Sequence, residues 1–218
     1  MDNSIQHTIL EYGVFSSYGI AVFLAFIFYK KYSHTYLRFF PWLLLYVFLN
    51  EVFAEYIHEK FYTNVVQYNL YNMIFFLYFY FVFYKNAQRK QYKKYIAFAS
   101  VCFVLASIIN LFYESFLYDP QLLAYIVGAC VLIFCIILYF IEILFTPQIL
   151  IVKRDLLFWV SIGLLLFYVG YIPIKVTRHF FDSDAENPFM ILITVHLLLV
   201  IIMNTCFITG FLWTREKK

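Results

Sequence analysis

Charged residues are scarce in this sequence. Asp, Glu, Lys and Arg make up 13% of its 218 residues, whereas hydrophobic residues make up 64%. A water-soluble domain of this length needs a much larger polar surface. The composition therefore excludes an ordinary soluble domain and predicts an integral membrane protein, whose first partner is the lipid bilayer. The net charge of +3 is modest, and we expect no nucleic-acid partner.

Residues suited to disulfide or metal chemistry are also few. The chain has four Cys and five His, with no Cys-x-x-Cys pair and no His-x-x-x-His pair. All four Cys lie inside apolar runs, away from the exposed loops in which an oxidising compartment would pair them. The spacing argues against a disulfide framework, a zinc site or an iron–sulfur cluster, and we expect neither a metal nor a cofactor. The cysteines are Cys102, Cys130, Cys135 and Cys206.

Long polar connections are missing as well. No segment between apolar runs exceeds about 14 residues, which is within the range of loops that have no structure of their own. Such loops cannot fold alone, so the sequence excludes a soluble catalytic or sensor domain between the runs. We therefore expect residues 1–218 to form a single domain, which acts within the membrane, at its two faces or through partners.

Seven apolar runs are long enough to cross a bilayer as α-helices, which takes about 20 residues. The first run has no basic segment before it and no small-residue cleavage site after it, so we expect a retained span and not a signal peptide. The sequence therefore predicts an all-α fold, a polytopic membrane protein with a seven-transmembrane-helix bundle. The predicted spans lie near residues 9–29, 39–57, 66–84, 95–113, 122–144, 156–174 and 189–213.

Basic residues are distributed unevenly between the two ends of these spans. With the N-terminus placed outside, only Lys60, Lys175 and Arg178 of the 16 Lys and Arg residues lie in outer segments. Short loops rich in Lys and Arg stay in the cytoplasm, and all three Trp residues then fall at inner helix ends, as interfacial anchors do. We therefore predict that the N-terminus lies outside and the C-terminus in the cytoplasm.

Three polar residues of neighbouring spans lie at the same predicted depth. At 1.5 Å per residue, Glu51, Asn72 and Asn110 are each roughly 20 Å from the inner boundary of their span. An ionisable group in hydrocarbon costs several kcal/mol, so polar residues at this depth are candidates for function. We predict a ligand site in the outer half of the bundle, with Glu51 as its acidic anchor and the two asparagines as hydrogen-bond partners.

Four further residues complete the predicted site. Asn69 shares a helix face with Asn72, because the two are three residues apart. Tyr168 and Tyr171 reach the same level on the sixth span, and Lys175 lies above them as an available counter-charge. The alternative is that the Asn and Glu side chains only bond neighbouring helices and hold the bundle together.

Two aromatic-rich strings resemble those of a loose group of small, uncharacterised seven-span bacterial membrane proteins. One string is Tyr68-Asn69-Leu70-Tyr71-Asn72, which opens the third span, and the other runs from Phe158 to Gly170 and opens the sixth. The resemblance covers most of the chain and implies the seven-span fold and a multi-pass location in the bacterial inner membrane. It implies no activity, substrate or active-site residue.

These observations favour a non-enzymatic protein that senses a ligand or relays a signal. A small molecule from the outer face would enter the polar pocket, and helix movement would reach a protein partner at the basic cytoplasmic loop 85–94. We read that loop first as an orientation signal, and second as a patch for anionic lipid or a cytosolic partner. The alternatives are a transporter or a membrane subunit of a larger assembly, and, third, a membrane-embedded enzyme.

The predicted orientation can be tested with reporter fusions. A reporter that is active only in the cytoplasm should give signal when it follows Lys218, because the charge distribution places this end inside. A reporter that is active only outside the cytoplasm should work when it is inserted near Asp184. The reverse pattern would show that the orientation is wrong.

Overall fold

The computed structural model describes residues 3–61, 63–145, 152–180 and 186–214, with the side chains of all but residues 3–6, 55, 58, 61 and 186–189. Seven helices in these ranges are long and apolar enough to cross a membrane, and no strand occurs in them. The predicted all-α architecture with seven such helices is therefore confirmed. The helices are α1 (Asn3–Ile27), α2 (Phe40–Phe61), α3 (Val65–Asn86), α4 (Lys90–Asn110), α5 (Leu122–Leu144), α6 (Leu156–Phe180) and α7 (Glu186–Trp213).

Several helix ends differ from the predicted spans by three to six residues, and the ends of α4 and α6 have a visible physical reason. Helix α4 ends at Asn110, before the predicted end at 113, because the chain turns there and Tyr113 N–H bonds back to Asn110 O at 3.0 Å. Helix α6 continues to Phe180, past the predicted end at 174, although Pro173 lies within it. Proline removes one backbone hydrogen bond, and the helix keeps its remaining bonds on both sides.

The helices divide into two compact units, and each is described by itself. The terminal unit consists of Met1–Leu44 and Leu150–Lys218, and it contains α1, α6 and α7. The central unit consists of Leu45–Ile149, and it contains most of α2 together with α3, α4 and α5. The single domain of residues 1–218 stays a prediction.

Close backbone approach holds the terminal unit together. A methyl group on Gly163 of α6 would lie 2.9 Å from the carbonyl O of Met203 in α7, and Gly210 of α7 is similarly close to α6. A buried hydrogen bond of 2.9 Å from Asn204 Nδ2 to Ser17 Oγ joins α7 to α1. Small residues and interhelical hydrogen bonds of this kind are typical of helices that associate in lipid.

The turn after α1 is anchored by Tyr32. Its side chain is buried, its ring packs against Phe211, and its O–H donates to the carbonyl O of Ala25. Burial raises the pKa of the Tyr32 phenol, and the nearby Tyr29 raises it further. The phenol therefore stays protonated, and keeps donating this hydrogen bond, throughout the physiological pH range.

Aromatic side chains fill the core of the central unit. The ring of Phe76 in α3 lies 5.6 Å from that of Phe103 in α4 and 5.7 Å from that of Tyr125 in α5. Gly128 of α5 makes room for this cluster, since a methyl group there would lie 2.6 Å from the Phe76 ring. Tyr80 O–H donates to the Gly128 carbonyl O at 2.7 Å. Helices α3, α4 and α5 therefore pack around one shared cluster.

A buried carboxylate holds the turn between α3 and α4. Glu142 of α5 is 6% exposed, and its oxygens accept hydrogen bonds from the backbone N–H groups of Gln88 (3.1 and 3.2 Å) and Arg89 (2.9 Å). Arg89 is the N-cap residue of α4, and its own side chain makes no cap hydrogen bond. The end of α5 thus fixes the basic segment 85–94 through backbone groups.

Replacing Glu142 should therefore destabilise the protein. We expect Glu142→Ala to lower the free energy of unfolding by about 2 kcal/mol, because charge-assisted hydrogen bonds are lost and two N–H groups are left without an acceptor. Thermal unfolding of the purified protein in detergent measures the effect. The control is Glu59→Ala, an exposed position that should change stability by less than about 0.5 kcal/mol. Equal effects of the two variants would contradict the structural role of Glu142.

Candidate functional site

The first turn of α5 is capped by one side chain from the end of α4 and one from the segment that follows it. Helix α5 begins after Gln121, whose own side chain makes no cap hydrogen bond. Instead, Leu122 N–H donates to Glu114 Oε2, and Ala124 N–H donates to Asn110 Oδ1, both at 3.1 Å. The N–H groups of a helix start have no acceptor within the helix, so these two side chains satisfy groups that would be costly in lipid.

Asn110 lies at the centre of this network and is 1% exposed. Its Nδ2 donates to Glu114 Oε2 at 2.7 Å and to Gln121 Oε1 at 2.8 Å, while its Oδ1 accepts from Ala124. Both ends of the amide are therefore engaged. Asn110 joins α4 to α5 and fixes residues 111–121 between them, which we name the cap segment.

Asn69 holds the cap segment from the side of α3. Its Nδ2 donates to the carbonyl oxygens of Phe116 (2.9 Å) and Asp119 (3.0 Å), and its Oδ1 accepts from Gln121 N–H at 3.3 Å. Two asparagine amides thus tie three helices to one segment. These bonds give Asn69 and Asn110 a structural role, and ligand binding by either stays a prediction.

A cleft of about 380 Å³ lies between α3, α4 and α5 beside the cap segment. Its floor is apolar and includes the buried side chains of Phe76, Phe103 and Ala124. Four apolar residues at its open side are between 41% and 52% exposed, and we name them the rim: Leu77, Val104, Ile108 and Leu111. The volume is within the range of small-molecule sites, roughly 300–1,000 Å³.

Asn72 differs from the other amides that line the cleft. It is half-buried, and its side chain makes no hydrogen bond with any residue that the structure describes. The amides of Asn69 and Gln121, which also line the cleft, are engaged in the cap segment. Asn72 therefore offers an N–H donor and a carbonyl acceptor to whatever occupies the cleft.

Glu51 forms a hydrogen bond with a tyrosine of α3. In the central unit its half-buried carboxylate accepts a hydrogen bond of 3.4 Å from the O–H of Tyr68 in α3, a residue that the sequence analysis did not assign to the site. Glu51 is not among the described residues that line the cleft. A ligand role for Glu51 stays a prediction.

The remaining predicted site residues belong to α6 in the terminal unit. Tyr168 is buried, and the ring of Tyr171 stacks on that of His196 in α7 at 4.4 Å. Lys175 is half-buried one turn further along α6. Their membership of one site with Glu51 stays a prediction.

Sequence reasoning missed two residues that organise the cleft, Glu114 and Gln121. Glu114 accepts from Asn110 and from the start of α5, and Gln121 bonds both Asn110 and the Glu114 carbonyl O at 3.1 Å. The available signal was the spacing of Asn110 and Glu114, which are four residues apart at the end of an apolar run. Glu114 and Gln121 lie in the polar connection between the fourth and fifth predicted spans, where contact with water is the simpler interpretation of a polar side chain.

No family model, no curated protein and no solved structure matches this chain. The resemblance to small seven-span bacterial membrane proteins therefore stays a prediction. The chemistry of the cleft follows from its own residues. None of the described lining residues is charged, so the cleft combines an apolar surface with neutral hydrogen-bonding groups.

Removing the Asn110 amide should loosen the cap segment. We expect Asn110→Ala to destabilise the protein by about 2 kcal/mol, because Ala124 N–H loses its acceptor and interhelical bonds are lost. Amide hydrogen exchange of residues 111–124 should become faster. Asn86→Ala is the control, since the Asn86 side chain makes no hydrogen bond to described residues. Unchanged exchange in Asn110→Ala would show that the network does not hold the cap segment.

Proposed function

We propose that this chain is a multi-pass membrane protein that senses a small, largely apolar ligand in the cleft of the central unit. The observation that carries the proposal is the cleft itself, with its volume of about 380 Å³ and its apolar floor. Small-molecule sites in proteins are concave, mostly apolar and few in each protein. A space of this size beside a segment fixed by side-chain hydrogen bonds is therefore a candidate binding site.

The proposal includes a location and an orientation. The N-terminus lies outside, the C-terminus lies in the cytoplasm, and the membrane is a bacterial inner membrane. This orientation places the cap segment on the outer side and the basic segment 85–94 on the cytoplasmic side, in agreement with the positive-inside rule. The ligand then reaches the cleft in the outer half of the membrane.

The route of the signal follows from two of the three helices around the cleft. Both α3 and α4 line it, and the same two helices meet at the turn that Glu142 holds. A ligand that binds one spacing of these helices better than another shifts their equilibrium toward that spacing. Small sliding of packed helices is a common way to transmit such a shift. The turn would present the change to a protein partner in the cytoplasm.

The neutral lining supports binding in preference to acid–base catalysis. General acids and bases are titratable side chains placed within hydrogen-bond reach of the substrate. The described lining residues include no His, Asp, Glu, Lys or Cys, and the titratable side chain among them is the buried phenol of Tyr125. Binding with a conformational response uses amides and apolar side chains directly, whereas acid–base catalysis at neutral pH usually needs a group that titrates closer to that pH.

A cleft-filling variant tests the binding site. Naphthalene, an apolar probe small enough for the cleft, should raise the melting temperature of the wild-type protein by about 2–4 °C near saturation. Ser107→Phe should abolish this shift, because Ser107 lines the cleft and the larger side chain fills it.

Ser100→Phe is the matched control for this test. Ser100 lies two turns earlier on the same face of α4, and it makes the same type of hydrogen bond to the carbonyl four residues before it (2.8 Å against 2.9 Å for Ser107). Ser100 is not among the described lining residues, so the control should keep the naphthalene shift. No shift in the wild type, or equal shifts in the two variants, would overturn the proposed site.

Signal relay has a separate measurement. Naphthalene should change the hydrogen exchange of the Gln88 and Arg89 amides, which donate to Glu142, and not only that of residues in the cleft. The Ser107→Phe variant should show no such change. If naphthalene slows hydrogen exchange only in residues of the cleft, ligand binding is supported and signal relay to the turn is contradicted.

A further inference from the structure

Hydrogen bonds already made within the cleft restrict the kind of ligand it can take. Three amides line the cleft, and those of Asn69 and Gln121 are engaged by the cap segment. Asn72 alone among these three makes no side-chain hydrogen bond to described residues. A ligand that leaves Asn72 unpaired would bury a donor and an acceptor without compensation, so the ligand should carry a hydrogen-bonding group.

The head of the ligand should be uncharged. No described lining residue carries a charge that could pair with an ionic head. Glu114 of the cap segment accepts hydrogen bonds at Oε2 from Asn110 Nδ2 and from Leu122 N–H. An unpaired charge in a low-dielectric site is expensive, whereas a hydroxyl can donate to an amide carbonyl and accept from an amide N–H at once.

The rest of the ligand should be a narrow apolar chain. At about 30 Å³ for each group of the size of a water molecule, the cleft holds roughly a dozen non-hydrogen atoms. The floor presents the rings of Phe76 and Phe103, and the rim presents only aliphatic side chains that are about half exposed. In a bilayer this open side borders hydrocarbon, so a chain that fills the cleft can continue into lipid.

We propose that the cleft binds a neutral single-chain amphiphile from the bilayer, with its hydroxyl-type head on the Asn72 amide and its chain on the apolar floor. This inference rests on the proposed function of the cleft and names its ligand class. It assigns Asn72 the role of head-group anchor.

Photolabelling in lipid nanodiscs tests this assignment. The probe is decan-1-ol with a diazirine on its chain, and the competitors are decan-1-ol, decane and decanoate at pH 8, where decanoate is ionised. Label should concentrate in residues 69–77 and 103–125, and exceed label at Phe98 and Val101, two exposed positions of α4 outside the cleft. Decan-1-ol should compete at a mole fraction about two- to tenfold lower than decane, the effect of one net hydrogen bond. Decanoate should be the weakest competitor.

Two variants of α3 locate the head-group contact. Asn72→Leu should remove the advantage of decan-1-ol over decane and leave competition by decane unchanged, because only the hydrogen bond is lost. Asn86→Leu, which changes an asparagine of the same helix outside the cleft, should behave as the wild type. If Asn72→Leu does not fold, Asn72→Ala makes the same comparison.

Each other outcome overturns part of the proposal. Decanoate competing as well as decan-1-ol would contradict the neutral head, and an undiminished alcohol advantage in Asn72→Leu would contradict the anchor. If either occurs while naphthalene still stabilises the wild type and not Ser107→Phe, the site stands and the ligand class is wrong. Label at the level of Phe98 and Val101, together with no naphthalene shift, would remove the site itself.

Discussion

Backbone N–H groups in an apolar environment must find an acceptor, and the first turn of α5 meets this requirement with the side chain of Asn110 from α4 and that of Glu114 from the cap segment. Asn110 and Glu114 accept from the first turn of α5, so α4 and α5 cannot separate without exposing those groups. The same asparagine donates to Gln121, which fixes the cap segment in place. The cap segment, held in this way at the edge of three packed helices, contributes Leu111, Phe116 and Gln121 to the lining of the cleft.

The seven helices could be predicted because hydropathy and length are enough to identify a helix that can span a membrane. The residues at which the helices begin and end were harder to predict. Residues 111–113 are apolar, so the pattern extends the fourth span to 113, but the side chain of Asn110 is engaged by α5 and the chain turns there. Hydropathy measures whether a side chain favours water or an apolar environment. It contains no information about a hydrogen-bond partner from a distant part of the chain.

The predicted site shows a similar division. Glu51, Asn72 and Asn110 were predicted to lie at the same depth, because the position of a residue along its span and the rise per residue determine its depth. What each side chain contacts depends on the rotation of its helix, which the sequence did not fix. In the structure Asn110 accepts a hydrogen bond from the start of α5, Asn72 lines the cleft, and Glu51 accepts a hydrogen bond from Tyr68. Equal depth was therefore compatible with three different roles.

The carboxylates of the central unit extend this argument to the choice of ligand. Glu114 at one end of α5 and Glu142 at the other both accept from backbone N–H groups of a neighbouring segment. Glu142 is buried and Glu114 half-buried, and in both cases hydrogen bonds from backbone N–H groups compensate the carboxylate while it holds a turn. The two acids that frame α5 are thus engaged in the fold, and the hydrogen-bonding capacity that the cleft keeps for a ligand is that of a neutral amide. The proposed ligand site would therefore select for shape, for one hydrogen bond and against charge, because no described lining residue could compensate an ionic group.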